Sequence, residues 1–256
     1  METDNGGSME SNQESRIVKI FGVKFDQLTF DEAYAKFVQY MADDTTQSIF
    51  TPNSEIVMKA DEDSEFKAVL NSGDLVIPDG IGVILASKIN GLGLTERVPG
   101  IEMMGRILEY CNLAGKSIYL FGGKPGVAEI AAENIQKSFP NLKVVGYRDG
   151  YFEAKESPKI LDAINEVKPD VLFVALGAPK QELWIHKNQK LLNTKVAMGV
   201  GGALDVYAGV VKRAPAVFRK IGLEWFYRLI IQPSRIGRMM VLPKFLIKAI
   251  LARFFN

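Results

Sequence analysis

The sequence predicts an α/β protein, built on a Rossmann-like parallel sheet with helices on both faces and a short helical appendage at the C-terminus. Short runs of β-branched and other apolar residues recur along the chain, amphipathic helical segments separate them, and turns rich in glycine, proline or aspartate follow several of them. Uninterrupted apolar strands between amphipathic helices are typical of a parallel sheet covered on both sides. A chain of 256 residues suffices for one such domain and an appendage.

The predicted elements follow in order from the N-terminus. Residues 1–15 are polar and contain no apolar segment, so we expect a disordered leader, with Met1 or Met9 as the native start. Thr29 and Glu32 form a capping box that opens the first helix. Strands are predicted over residues 16–21, 48–50, 75–77, 117–121, 142–146, 171–176 and 195–200. Helices are predicted over residues 29–41, from residue 54 onwards, and over 127–139, 158–167 and 179–189.

The charge distribution divides the chain near residue 212. Residues 212–256 contain ten lysines or arginines and one glutamate, whereas the rest of the chain contains 21 basic and 29 acidic residues. The net charges are therefore +9 and −8, and such a basic segment is expected to meet an anionic partner. We place the boundary there, between an α/β core at 16–211 and a basic amphiphilic appendage at 212–256.

The composition of the appendage favours a membrane surface as its partner. Apolar residues outnumber polar ones throughout it, which disfavours nucleic acid. Its last segment, 244–255, is shorter than the roughly 20 apolar residues that span a bilayer, and it carries three basic residues. Such a segment is suited to lying on an anionic membrane with its basic side chains at the headgroups. A contact between two copies of the chain is the alternative.

Several side chains that often serve as ligands are interpreted as ordinary structural residues. With one cysteine, Cys111, and one histidine, His186, the chain has no intramolecular disulfide and no His/Cys zinc site, and a reducing cytoplasm is the simplest location. We expect Cys111 to lie in the core and His186 on or near the surface of a helix. The D-x-D sequence at 61–63 lies in a polar helical stretch, so we interpret it as a solvated helix face and predict no metal site.

Polar and glycine residues follow the predicted strands, where ligands of open parallel sheets bind. Asp79, between Pro78 and Gly80, is the carboxylate best placed to act as a general base. Its alternative role is that of a turn aspartate capping the next helix. The turns in question lie at residues 51–53, 78–80, 122–126, 177–182 and 201–202.

The glycine-rich turns leave more than one function open. The turn at 122–126 lies between a strand and a helix, and its N–H groups could receive a diphosphate, although a plain βα turn would also use glycine. The chain contains neither a full G-x-G-x-x-G fingerprint nor a Walker A sequence, which disfavours nicotinamide and ATP binding. An NAD-dependent sugar-nucleotide oxidoreductase or epimerase remains the alternative enzyme, and a membrane scaffold the alternative without catalysis.

A series of motifs gives the chain a family resemblance. From about residue 17 to the C-terminus, the sequence resembles the WecG/TagA/CpsF glycosyltransferase family, and within it the enzymes of teichoic acid linkage. The motifs occur in the family's order. They are TPNSE at 51–55, PDGIG at 78–82, ERVPG at 96–100, GAPKQE at 177–182, GVGG at 199–202, KRAP at 212–215 and GLEWFYR at 222–228.

The resemblance implies a specific reaction. It is an inverting, metal-independent transfer of N-acetylmannosamine from its UDP donor to undecaprenyl-diphosphate-linked N-acetylglucosamine, forming a β-1,4 bond. The product would serve teichoic acid linkage or a related cell-surface polysaccharide. The enzyme would lie peripherally on the inner face of the cell membrane and need no cofactor. Another UDP-sugar, such as the mannosaminuronate or glucose donor, would use the same chemistry.

The resemblance also implies which residues form the site. Asp79 corresponds to the base, and Thr51, Arg97 and Gln181 to further catalytic residues. Arginine suits the leaving diphosphate because its planar guanidinium pairs with phosphate through two hydrogen bonds. We therefore expect Arg97 and the appendage arginines to contact the diphosphate. The expected substrate-binding residues are Asn53, Gly122, Gly123, Gly201, Gly202, Asp205, Arg228, Arg235 and Arg238.

Overall fold

The protein is described by a computed structural model for residues 16–215, 217–218, 224–231, 237 and 240–255. A two-stranded antiparallel hairpin precedes a six-stranded parallel sheet. The strands are β1 (Ile17–Ile20), β2 (Val23–Asp26), β3 (Gln47–Phe50), β4 (Leu75–Val76), β5 (Ser117–Gly122), β6 (Lys143–Arg148), β7 (Val171–Ala175) and β8 (Val196–Gly199).

Helices follow nearly every strand of the large sheet. They are α1 (Phe30–Tyr40), α2 (Ser54–Glu62), α3 (Ser64–Asn71), α4 (Ile81–Asn90), α5 (Gly100–Ala114), α6 (Val127–Ser138), α7 (Ser157–Val167), α8 (Lys180–Asn188), α9 (Ala203–Tyr207), α10 (Glu224–Ile231) and α11 (Val241–Phe255). A 3₁₀ turn at Ala154–Glu156 precedes α7. The capping box predicted at Thr29 and Glu32 is present at the start of α1.

The six strands are all parallel and lie in the order β4-β3-β8-β7-β5-β6. In β7, Val171 and Phe173 pack into the layer formed by α1, α5 and α6, whereas Leu172 and Val174 pack into the layer of α2, α3, α4, α7 and α8. Both faces of the strand are therefore buried, as its uninterrupted apolar sequence predicted. The predicted α/β class with helices on both faces is confirmed.

Two aspartates fix the amino ends of neighbouring strands. The Asp74 Oδ2 atom accepts hydrogen bonds from the backbone N–H and the hydroxyl of Ser48, at 2.7 and 2.8 Å. Asp170 accepts the same two bonds from Ser117, both at 2.8 Å, and pairs with Lys116 at 3.2 Å. Burial raises the pKa of Asp170, but the bonds from Ser117 and Lys116 outweigh it and hold the pKa below its ordinary value.

Two elements differ from the sequence-based expectation. The strand predicted at residues 16–21 is present as β1, but it lies outside the large sheet. The chain reverses at Phe21 and Gly22, which have φ angles of 50° and 79°, so β1 pairs with β2. The stretch around the D-x-D sequence is not one helix. Asp63 separates α2 from α3, and its carboxylate accepts a hydrogen bond from the Phe66 N–H at 3.0 Å, which caps α3.

The last helix, α11, is docked on the core by one of its faces. Phe245 and Ala249 are fully buried, and the Phe245 ring lies edge-on to Phe21 with centroids 5.2 Å apart. Lys248 forms an ion pair with Asp61, and the guanidinium of Arg253 donates to the Ile89 carbonyl at 2.8 Å. This part of the appendage therefore packs as a core helix does.

The opposite side of α11 is apolar and exposed, and we call it the outer face. It consists of Ile247, Ile250, Leu251 and Phe254, which are 57, 44, 50 and 76% exposed. Their spacing of three and four residues places them along one side of the helix. None of the described helices combines the length and the apolar character needed to cross a bilayer.

Candidate active site

The carboxyl ends of β3 and β4 bring Asp79, Thr51 and the start of α5 together. The Asp79 N–H donates to the Pro52 carbonyl at 3.2 Å, and the Asp79 Oδ2 atom accepts from the Gly100 N–H at 3.3 Å. A Cβ atom at Gly100 would lie only 2.9 Å from the Thr51 hydroxyl oxygen. The Asp79 carboxylate and the Thr51 hydroxyl therefore both lie against the backbone at Gly100, where there is no room for a side chain.

Asp79 does not cap the helix that follows it. The N-cap of α4 is Gly80, which provides no side-chain hydrogen bond. The Asp79 carboxylate instead faces the N-terminus of α5, where the unpaired N–H groups and the helix dipole favour a negative charge. The turn therefore directs this carboxylate away from its own helix and toward the edge of the sheet.

Asn53 shapes the same region as the N-cap of α2. Its Oδ1 atom accepts from the Ile56 N–H at 3.1 Å. Gly80 packs against it, because a Cβ atom at Gly80 would lie 3.5 Å from the Asn53 Cβ. The structure thus places Asn53 beside the Asp79 turn, with its side-chain oxygen engaged in capping, and its role in substrate binding stays a prediction.

Arg97 connects this region to the appendage. Its guanidinium lies 3.6 Å from the carboxylate of Glu224 at the start of α10, and the two side chains are only 18% and 19% exposed. The next residue, Val98, donates its N–H to the Pro78 carbonyl at 2.9 Å, immediately before Asp79. Arg97 therefore lies between the predicted base and the appendage.

A second ion pair joins the two parts of the chain nearby. The Arg213 guanidinium lies 2.6 Å from the Glu102 carboxylate on α5. Arg228 belongs to α10, but its side chain lies outside the described residues, as do Arg235 and Arg238 entirely. The predicted contacts of these three arginines with a diphosphate therefore stay predictions.

Gln181 bridges the turns that follow β7 and β8. Its Oε1 atom accepts from the N–H groups of Gly177 and Gly201, at 3.2 and 3.1 Å, and its Nε2 atom donates to the Glu182 carboxyl at 2.8 Å. A Cβ atom at Gly199 would lie 2.9 Å from that nitrogen. Gln181 is therefore a buried link between two turns, a role that the sequence did not predict.

The remaining predicted donor-binding residues lie along the same edge. Gly202 and Asp205 open α9, and a Cβ atom at Gly202 would lie 3.6 Å from the Asp205 Oδ2 atom. A Cβ atom at Gly122 would lie 2.3 Å from the Ala175 carbonyl oxygen, and the Gly123 N–H donates to that oxygen at 3.0 Å. The close approach of β7 thus explains Gly122, whereas Gly123 has a φ angle of 75° and a Cβ atom there would lie 2.9 Å from the Val127 side chain. Phosphate binding at this turn stays a prediction.

The side chains interpreted as structural are all engaged within the protein. Cys111 is fully buried, and burial raises the pKa of its thiol to about 12, so its predicted core position is confirmed. His186 lies 2.8 Å from the Ser72 hydroxyl. Asp61 pairs with Lys248, and it lies 3.9 Å from Lys67. Within the described part of the chain, no cluster of three or more acidic, histidine or cysteine side chains could hold a metal ion.

Sequence reasoning missed one buried carboxyl group and one partly buried carboxylate. Glu182 is 2% exposed, and its Oε2 atom has no hydrogen-bond partner among the described residues. Burial raises the pKa of Glu182 above its ordinary value. Glu224 is the partner of Arg97 described above. Both residues lie inside motifs that were singled out, but only their partners in space indicate what they do.

Comparison with known proteins identifies the family of the chain. The sequence model of the glycosyl transferase WecG/TagA/CpsF family matches residues 18–256. A protein of Bacillus spizizenii named N-acetylglucosaminyldiphosphoundecaprenol N-acetyl-beta-D-mannosaminyltransferase is 38% identical over 226 residues, covering 86% of this chain and 87% of the relative. A protein of the same name from Staphylococcus aureus strain MRSA252 is 35% identical over 243 residues, covering 94% and 95%. The chain therefore belongs to the WecG/TagA/CpsF family of glycosyltransferases.

Proposed function

We propose that this glycosyltransferase moves N-acetylmannosamine from UDP-N-acetylmannosamine to undecaprenyl-diphosphate-linked N-acetylglucosamine, in teichoic acid linkage or related polysaccharide synthesis. The observation that carries the proposal is the coincidence of two findings. Relatives that align with most of the chain are named for this transfer, and Asp79 lies at the carboxyl edge of the sheet beside Thr51. The oxidoreductase alternative has no comparable support, because the relatives are named as transferases.

The proposed chemistry needs one base and a means of stabilising the leaving group. Asp79 accepts the proton of the acceptor hydroxyl as its oxygen attacks C1 of N-acetylmannosamine from the face opposite the phosphate. The bond from C1 to the β-phosphate oxygen breaks, and UDP leaves with the bonding electrons. The configuration at C1 is therefore inverted.

Arginine is proposed to neutralise the departing diphosphate. Arg97 has the position for this, next to the Asp79 turn and half-enclosed by α10. Glu224, whose carboxylate lies 3.6 Å from the guanidinium, holds Arg97 beside the appendage. We propose that Arg228, Arg235 and Arg238 add further positive charge from the appendage, so that no bound metal is needed.

The outer face of α11 supports a membrane location. Ile247, Ile250, Leu251 and Phe254 expose a continuous apolar strip in a segment with net charge +9. Exposed apolar strips on basic segments bind the interface of anionic membranes, where each basic residue contributes about 1 kcal/mol. We therefore propose that α11 rests on the inner face of the membrane that holds the lipid-linked acceptor. Pairing of two copies through this face is the alternative, and the sedimentation behaviour without lipid distinguishes it.

The experiment that tests the function is a donor competition with a water-soluble analogue of the lipid acceptor. The N-acetylmannosamine donor should outcompete the N-acetylglucosamine and glucose donors, and preference for glucose would refute the proposed product. Asp79→Asn should lower turnover about 10²-fold or more while UDP binding persists. Asp44→Asn, at a fully exposed carboxylate, is the matched control and should turn over normally. Normal turnover of folded Asp79→Asn would remove Asp79 from the mechanism.

A further inference from the structure

Glu182 is buried in a position that is energetically unfavourable for a carboxyl group. It sits in the first turn of α8, 2% exposed, with one oxygen bonded to Gln181 and the other without a partner among the described residues. A buried carboxyl oxygen without a hydrogen-bond partner destabilises a fold, because it has lost its contacts with water. Lys59 acts on Glu182 electrostatically, but its side chain is 42% exposed, pairs with Glu55 at 3.0 Å and donates to the Ala178 carbonyl at 3.3 Å.

The bond from Gln181 to Glu182 determines how the Gln181 amide is oriented. A side-chain amide has an oxygen that only accepts and a nitrogen that only donates. With Glu182 accepting from the nitrogen, the oxygen must face the N–H groups of Gly177 and Gly201. If the amide were reversed, its nitrogen would face the N–H groups of Gly177 and Gly201, and two donors would oppose each other at each turn. The carboxyl group of Glu182 therefore completes, together with the two glycine N–H groups, the set of partners that fixes the orientation joining the two turns.

The two turns belong to neighbouring strands, so their separation shapes the edge of the sheet. Gly177 follows β7 and has a φ angle of 74°, and Gly201 follows β8 and has a φ angle of 49°. Each turn contains a backbone hydrogen bond, from the Gln181 N–H to the Gly177 carbonyl at 3.1 Å and from the Ala203 N–H to the Val200 carbonyl at 3.0 Å. The shared Gln181 oxygen joins one turn to the other. Predicted donor-binding residues Gly201 and Gly202 lie in one of these turns.

We propose that Glu182 is a positioning residue for the UDP-sugar: through the Gln181 amide, it holds the turns after β7 and β8 at the separation that receives the donor. The proposal rests on the proposed function and identifies Gln181 as a structural bridge in that site. Burial raises the pKa of Glu182 above its ordinary value. Glutamine is a close substitute in shape, and its carbonyl oxygen can accept the same hydrogen bond from Gln181.

A double-mutant cycle tests the proposal, with UDP affinity measured by titration calorimetry and the donor KM and kcat measured with a soluble acceptor analogue. Glu182→Ala should weaken UDP binding and raise the donor KM about tenfold, the scale of one lost buried hydrogen bond. Glu182→Gln should stay within about threefold of the wild type. If Glu182 acts through Gln181, then adding Glu182→Ala to Gln181→Ala should cause little further loss.

Asn188→Ala is the matched control at the other end of α8. Asn188 is also buried, and its side chain donates to the Trp184 carbonyl at 2.7 Å. This variant should lower the melting temperature without changing UDP affinity. If Asn188→Ala weakened UDP binding as much as Glu182→Ala, any destabilisation of α8 would be enough to lower UDP affinity, and the proposal would be overturned.

The other outcomes separate the proposal from the function on which it rests. Unchanged UDP binding by Glu182→Ala, additive losses in the cycle, or a Glu182→Gln variant as weak as Glu182→Ala would each contradict the positioning role alone. A wild-type protein that does not bind UDP would contradict the proposed function, and the positioning role with it.

Discussion

Truncation of Phe245 to alanine tests whether α11 is part of the folded core. The Phe245 ring is fully buried and packs edge to face against the Phe21 ring, with the ring centroids 5.2 Å apart. Phe-to-Ala changes at such positions cost about 3–5 kcal/mol, because transfer energy is lost and a cavity remains. The aromatic pair accounts for about 0.5–1.5 kcal/mol of this. We expect Phe245→Ala to lower the free energy of unfolding by about 3–5 kcal/mol, measured by guanidinium denaturation with circular dichroism.

The same helix provides a control of the same residue type. Phe254 lies on the outer face and is 76% exposed, so Phe254→Ala should change the free energy of unfolding by less than about 0.5 kcal/mol. It should instead reduce co-sedimentation with anionic vesicles. Equal stability losses in the two variants, or a loss below about 1 kcal/mol for Phe245→Ala, would refute the docking of α11 that the reasoning requires.

Three further predictions follow from the described contacts. Folding lowers the pKa of Asp170, so the carboxylate contributes its full stabilisation above the unfolded pKa and loses it as the pH falls through the folded pKa. Asp170→Asn should therefore lower the stability of the protein at pH 7 and flatten the decline of stability below about pH 4, as measured by urea titrations at several pH values. Transfer should survive EDTA, because Asp61 is paired with Lys248 and Asp63 caps α3; loss of activity that Mg²⁺ restores would contradict this. Cys111 should react with a thiol reagent only after unfolding, because burial raises its pKa to about 12; rapid labelling of the native protein would argue against a buried thiol.

The class of fold could be predicted because the inner strands carry an unmistakable pattern. β7 is apolar at every position, and only a strand buried on both faces has that sequence. The hairpin of β1 and β2 was missed because its reversal uses Phe21 in the left-handed region, where non-glycine residues are uncommon. The strand predicted at 75–77 is present as β4, although it has only two residues and is too short for any periodicity. The strand order depends on contacts between distant segments, which a local pattern does not contain.

A residue of the candidate site could be predicted only where a single turn contains the sequence pattern that identifies it. Asp79 could be selected because it follows a strand directly, and ligands of parallel sheets bind at that edge. The roles of Gln181 and Glu224 depend on partners far away in sequence, namely Gly201 and Arg97. Because burial and pairing are set by the whole fold, no spacing rule identifies such residues.

The structure gives a physical reason for the two glycines that follow Asp79. Gly80 has a φ angle of 91°, which the sharp turn at the strand end requires. Gly82 has a different constraint: a Cβ atom there would lie 2.2 Å from the Ser54 hydroxyl oxygen and 2.5 Å from the Leu242 methyl group of α11. The second glycine is therefore required by the appendage as well as by the core. Because α11 contacts the helix that begins directly after Asp79, the packing that buries one face of α11 also fixes where its exposed outer face lies relative to the proposed base. In the function proposed above, one set of contacts would therefore position both the surface that meets the membrane and the carboxylate proposed to activate the acceptor.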